Sequence, residues 1–130
     1  MPPSSPNDAS EPRDRLSQLQ RLVLEFRRAR GWEPFHTPKN LSMGLSVEAA
    51  ELQELFLWRP DAEITQALAD PAFAARVAEE LADVAIFLLY LSQACGVDLA
   101  TAIRDKVAIN AQRYPVHKCY GTHKKYTELK

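Results

Sequence analysis

Apolar residues recur at helical spacing along almost the whole chain, and no stretch shows convincing period-two alternation. Leu16, Leu19, Leu22, Val23 and Phe26 mark the stripe of a first helix over about residues 14–30, which Gly31 closes. After the loop GWEPFHT, Thr37 then Pro38 is an N-cap followed by proline at the first helical position. A second helix therefore starts there and runs to about Leu57 despite Gly44, until WRPD breaks it. Residues 61–69 are expected to form one or two loose turns. Asp70-Pro71 repeats the start signal for a third helix lasting to Gly96, and Asp98 caps a fourth that Tyr114-Pro115 ends. The expected organisation is a disordered Pro/Ser-rich leader over 1–13, a helical domain over 14–115 and a basic, irregular tail over 116–130. Four helices with short links predict an all-α, four-helix bundle.

The second helix, in LSMGLSVEAAELQELFLW, carries three glutamates three residues apart, Glu48, Glu51 and Glu54. Advancing about 100° per residue from Glu48, the residues Leu41, Leu45, Leu52, Leu55 and Phe56 fall within about 80° on one side or 20° on the other. Glu48 therefore lies inside the apolar stripe, Glu51 at its edge and Glu54 nearer solvent. On the third helix Phe73, Val84, Phe87 and Leu91 fall within about 40° of Glu80, with Asp83 at the edge. This helix is apolar almost all round and should be the buried one, whereas Glu79 points away.

Either pair alone, Glu48 with Glu51 or Glu80 with Asp83, has an ordinary reading as solvated or salt-bridged acid. Two acids inside apolar arcs change that, because an unpaired buried carboxylate is costly. If the helices pack through those arcs the four acids converge, and each like-charged pair near 5 Å repels by roughly 3 kcal/mol at an effective dielectric of about 20. The helices offer few basic residues there, so a divalent cation is the better compensation. An all-oxygen ligand set suits Mg²⁺, with Mn²⁺ a possible substitute, and disfavours zinc.

Composition narrows the classes further. The 130 residues suggest one domain, and 16 basic against 17 acidic residues give no basic excess of the kind that binds a nucleic-acid polymer. Cys95 and Cys119 show no disulfide framework and fit a reducing, cytoplasmic setting. The first residues have no apolar h-region, and the run VAIFLLYL is too short to cross a membrane. Surplus apolar surface on the third helix argues for a homo-oligomer.

VEAAELQELFLW followed by EELADVAIFLLYL resembles the paired ExxE and ExxD signature of the MazG-like superfamily of all-α nucleoside triphosphate pyrophosphatases. RGWEPFHTPKNL and KVAINAQRYPVHKCYGTHKKYTEL are similar to the dCTP pyrophosphatase branch. The resemblance covers about residues 19–129. It implies dimers or tetramers and Mg²⁺-dependent cleavage of a nucleoside triphosphate substrate between its α and β phosphates. Carried over, Glu48, Glu51, Glu80 and Asp83 match the metal ligands, and Trp32, His36 and Trp58 match positions of the base and sugar pocket. Lys106, Asn110 and Tyr114 match positions near the phosphates. Two departures stand out: Val23 replaces a histidine of the nucleotide site, and Phe87 replaces a tyrosine one turn after the ExxD aspartate.

The supporting residues also have independent readings. Trp32 and Trp58 can stack on a nucleobase or seal a core or subunit contact. Lys106, Asn110 and Arg113 recur at i, i+4, i+7 as a polar strip that is either solvated or aimed at triphosphate oxygens. Glu48 or Glu51 is the candidate general base; the resemblance alone implies the pool of dCTP or modified deoxycytidine triphosphates as the target. Among rivals, a di-iron bundle needs Glu-x-x-His pairs, whereas Glu51 and Asp83 occupy those positions. A phosphoribosyl-ATP pyrophosphatase, a nucleotide sensor without hydrolysis and a non-catalytic helical adaptor binding metal or a basic partner remain alternatives.

Overall fold

The computed structural model describes residues 14–130, so the expected leader over 1–13 lies outside the described residues. Helices account for the regular structure: α1 (Arg15–Ala29), α2 (Pro38–Leu57), α3 (Asp61–Leu68), α4 (Pro71–Ala94), α5 (Leu99–Arg113) and α6 (Val116–Cys119), with short 3₁₀ turns at Glu33–Phe35 and Tyr126–Glu128. No strand occurs among the described residues, so the chain is all-α. Two compact units are present, one ending at Gly96 and the other comprising Val97–Lys130.

The helix starts are chemical. Asp14 accepts the Ser17 N–H at 2.7 Å, Thr37 Oγ1 that of Asn40 at 3.2 Å, Asp70 that of Ala72 at 3.2 Å and Asp98 that of Thr101 at 3.3 Å. Each satisfies a backbone donor that the first turn leaves free. Gly31 and Gly96 follow α1 and α4 with φ of 62° and 66°, a left-handed conformation that ends a helix at little cost only in glycine.

In the first unit α4 is the central element, with α1, α2 and α3 packed on it. Phe73, Val77, Leu89 and Tyr90 of α4 are buried, and Leu41 of α2 is 1% exposed. α2 runs antiparallel to α4: Gly44 near its start faces Phe87, and Phe56 near its end meets the Phe73 ring at 6.0 Å. α1 is fastened by polar contacts as well as apolar ones. Gln20 Nε2 donates to the Leu89 carbonyl at 3.0 Å and to Ser92 Oγ at 3.1 Å, while the Tyr90 hydroxyl donates to the Val23 carbonyl at 3.0 Å.

Two local expectations need correction. Residues 61–68 form a regular helix rather than loose turns, because Pro60 presets the entry, Asp61 and Glu63 complement the first-turn dipole and α3 docks on α4. The tail is not wholly irregular either. Pro115 starts α6, Cys119 Sγ donates to the Tyr114 carbonyl at 3.3 Å, and Tyr126 meets the Tyr114 ring at 5.9 Å. No single helix among the described residues is long and apolar enough to cross a membrane.

Candidate active site

Antiparallel packing of α2 on α4 sets one acidic pair against the other. One carboxylate oxygen from each of Glu48, Glu80 and Asp83 lies within 4.8 Å of the others, a spacing that suits a shared metal ion. Glu51 is not part of that trio but interacts with both Glu48 and Glu80, directly along α2 and across to α4. No lysine or arginine pairs with any of the four among the described residues.

The electrostatics follow from that crowding. Burial first, then the neighbouring Glu51 carboxylate and the α4 acids, push the Glu48 carboxyl up to about 7. Glu80 is raised too, by burial and then by Glu51 and Asp83. Glu48 Oε2 and Glu80 Oε2 are both buried without a hydrogen-bond partner. Two buried carboxylate oxygens without a hydrogen-bond partner, in acids that no lysine or arginine pairs, fit a hard divalent cation. The donor set is all oxygen.

The aromatic candidates separate into two places. Trp32 and His36 join a cluster along α1 and α4: Phe26 meets Trp32 at 5.7 Å, Trp32 meets His36 at 6.4 Å, and His36 meets Tyr90 at 4.8 Å. Arg27, 8% exposed, places its guanidinium carbon 5.3 Å over the Tyr90 ring and donates to Gln93 Oε1 at 3.3 Å. Burial and then the Arg27 charge lower the His36 pKa, leaving a neutral ring whose buried Nδ1 has no partner. Tyr90 lies seven residues beyond Asp83, about 10 Å of helix rise.

Trp58, 83% exposed, is at the other end of the acids. It lines a cavity of about 830 Å³ whose walls also include Glu51, Glu80, Phe73, Arg59 and Arg76. Phe73 and Tyr90 are separated by roughly 25 Å of α4 rise. One chain therefore does not close Trp32 and Trp58 on the two faces of one base.

Val23 and Phe87, the two departures from the branch pattern, both pack beside Tyr90. Val23 accepts its hydroxyl, and the Phe87 ring stands edge-on to it at 6.4 Å. Lys106, Asn110 and Arg113 lie on α5, and Tyr114 caps it, in the second unit. There the Arg113 guanidinium sits 4.9 Å over the Tyr126 ring.

Sequence reasoning passed over Arg27, Tyr90, Arg59 and Arg76. The available signals were slight: Arg76 stands one turn before Glu80, and Arg59 directly follows Trp58.

An all-helical chain with two acidic pairs facing across antiparallel helices defines a class, and residues 44–129 match the family model for it: the chain belongs to the MazG-like family. It is similar to dCTP pyrophosphatase 1 of Rattus norvegicus, 45% identical over 118 residues that cover 91% of this chain and 69% of that one. The Homo sapiens protein of the same name is 43% identical, again over 91% of this chain and 69% of its own length. Among solved structures, a pyrophosphatase from Archaeoglobus fulgidus matches with a TM-score of 0.70 and 39% identity, covering 75% of this chain and 90% of that one.

Proposed function

We propose that this protein is a Mg²⁺-dependent nucleoside triphosphate pyrophosphohydrolase acting on dCTP or a related, modified deoxycytidine triphosphate. The observation that carries the reading is the Glu48, Glu80 and Asp83 trio with its two orphaned oxygens, in a chain of the MazG-like family. A divalent cation held by these residues together with Glu51 would offset phosphate charge and make water more acidic. The names of the rat and human relatives support the nucleotide class.

The reaction divides among the chain's own groups. Water attacks the α-phosphorus, its oxygen forming the new P–O bond as the bond to the α–β bridging oxygen breaks. The electron pair leaves with pyrophosphate, and the water proton passes to a carboxylate. Glu48 and Glu51, neighbours within the acid cluster, are the two candidates for that last task. The ring cluster of Trp32, His36 and Tyr90 offers faces for the nucleoside about 10 Å along α4 from Asp83. Trp58 offers a further exposed ring.

The reading includes self-association into dimers or tetramers in the cytoplasm. Exposed Leu81 and Leu88 on α4, with Leu19, Leu22 and Phe26 on α1, supply apolar surface of the kind that copies of a chain cover in one another. Light scattering on the purified protein tests it, and a monomer at micromolar concentration would rule it out.

For the chemistry, each dNTP is incubated with the protein and Mg²⁺ and the products separated. Monophosphate with pyrophosphate, fastest from a deoxycytidine triphosphate, is expected. Diphosphate with orthophosphate would overturn the assignment.

A further inference from the structure

α–β cleavage needs somewhere for two departing phosphates to go, and the first unit contains a cavity suited to them. Arg59 and Arg76 both line the 830 Å³ cavity that Glu51 and Glu80 border. Arg76 stands one turn before Glu80 on α4, about 6 Å of rise, and the interval of four residues places both on one face. The Arg59 guanidinium carbon lies 4.4 Å over the Phe73 ring. Stacking fixes the plane of that group and leaves its N–H edge free for an anion.

Glu54 and Glu63 line the same cavity, yet neither arginine forms an ion pair among the described residues. Two guanidinium groups on one cavity wall, neither held in an ion pair, are available to an anion once a cation offsets the neighbouring Glu51 and Glu80 carboxylates. The order of groups along α4 says which anion. Tyr90 with its ring cluster lies on one side of Asp83 and Glu80, and Arg76 on the other. A nucleotide whose base rests among the rings and whose α-phosphorus reaches the acids extends its β and γ phosphates towards Arg76 and Arg59.

We infer that Arg59 and Arg76 bind the β and γ phosphates of the substrate and hold the pyrophosphate as it leaves. The assignment rests on the pyrophosphohydrolase reading and adds a polarity to it: nucleoside at the Tyr90 end of α4, leaving group at the Phe73 end. Guanidinium donors suit this task because they match phosphate oxygens in pairs and stay charged at every working pH.

The test titrates inorganic pyrophosphate and, separately, dCMP into the full-length protein with Mg²⁺ by calorimetry. Wild type is compared with Arg59→Gln, Arg76→Gln and the two lysine variants. Each glutamine variant should lose about 10- to 100-fold in pyrophosphate affinity and change by less than about twofold for dCMP, with lysine recovering part of the loss. Arg76→Gln leaves the Phe73 stack intact, so it reports binding free of any packing effect.

Unchanged pyrophosphate affinity in both glutamine variants overturns the inference, and so does an equal loss for dCMP. Product analysis on wild type separates the two levels. If dCTP gives pyrophosphate but its binding ignores both arginines, the receptor is wrong and the hydrolase stands. If no triphosphate gives pyrophosphate, the hydrolase reading itself falls.

Discussion

Gly44→Ala is a small change with a sharp expected consequence, because Gly44 of α2 lies directly against the Phe87 ring of α4. A Cβ placed there would lie 2.8 Å from Phe87 Cζ and nearer still to Cε1, well inside van der Waals contact. Two effects compete. Alanine in a helix interior is favoured over glycine by about 1 kcal/mol, whereas forcing a methyl group into a packed contact costs about 1–3 kcal/mol. The Phe87 ring is held edge-on against Tyr90, itself buried and hydrogen-bonded to Val23, so it has little room to retreat. The net loss is then about 1 kcal/mol, a fall in melting temperature of several degrees for a domain of this size.

The clash also reaches the site. Gly44 is one turn from Glu48, and Phe87 one turn from Asp83, so spreading the helices there moves the acids apart. Thermal melts with and without Mg²⁺ should show a lower melting point and a smaller Mg²⁺-induced rise. Phe87→Leu in the same chain should restore part of both, giving a favourable coupling of about 1 kcal/mol in the double-mutant cycle. A Gly44→Ala protein that gains the full helix-propensity benefit and keeps its Mg²⁺ response would show that no close approach exists there.

Glu48→Gln should abolish the stabilisation by Mg²⁺ and cut turnover by at least about 100-fold while leaving the metal-free fold intact, since it removes repulsion rather than a bond; retained turnover would remove Glu48 from the site. The Glu48 carboxyl is raised from 4.5 to about 7 in the fold, so the folded state keeps a proton that the unfolded chain releases. Its contribution to metal-free stability is full below the lower value and lost as pH rises through the upper one. Melts in EDTA between about pH 5 and 8 should show wild type losing stability relative to Glu48→Gln, and a flat difference would contradict the raised carboxyl. Trp58→Ala should leave stability within about 0.5 kcal/mol because the ring is 83% exposed, yet raise KM by about 5- to 100-fold if the ring stacks on substrate; an unchanged KM would assign the ring elsewhere.

Much was legible from local chemistry. Helix starts at Thr37-Pro38 and Asp70-Pro71 and stops at Gly31 and Gly96 follow from side-chain acceptors, fixed proline φ and glycine's tolerance of positive φ, all within a few residues. The inward aspect of Glu48 and Glu80 also follows from the helical period, which relates each acid to apolar neighbours on its own helix. α3 was missed because eight residues carry too few repeats for the period to register, and docking on α4 supplies what propensity alone does not.

The sequence by itself determined that Glu48 and Glu80 lie within the apolar faces of their helices, because that depends only on 3.6 residues per turn, whereas Leu19, Leu22 and Phe26 of the predicted α1 stripe stay exposed. Tertiary structure alone decided the antiparallel match of α2 to α4, which brings Glu48, Glu80 and Asp83 within 4.8 Å and leaves Glu51 beside them. It also put Trp32 and Trp58 at opposite ends of the acids and Arg59 and Arg76 in one cavity. Those placements depend on which side chains fit between two helices, such as Phe87 against Gly44. A helical period cannot carry that, because it contains no information about the partner.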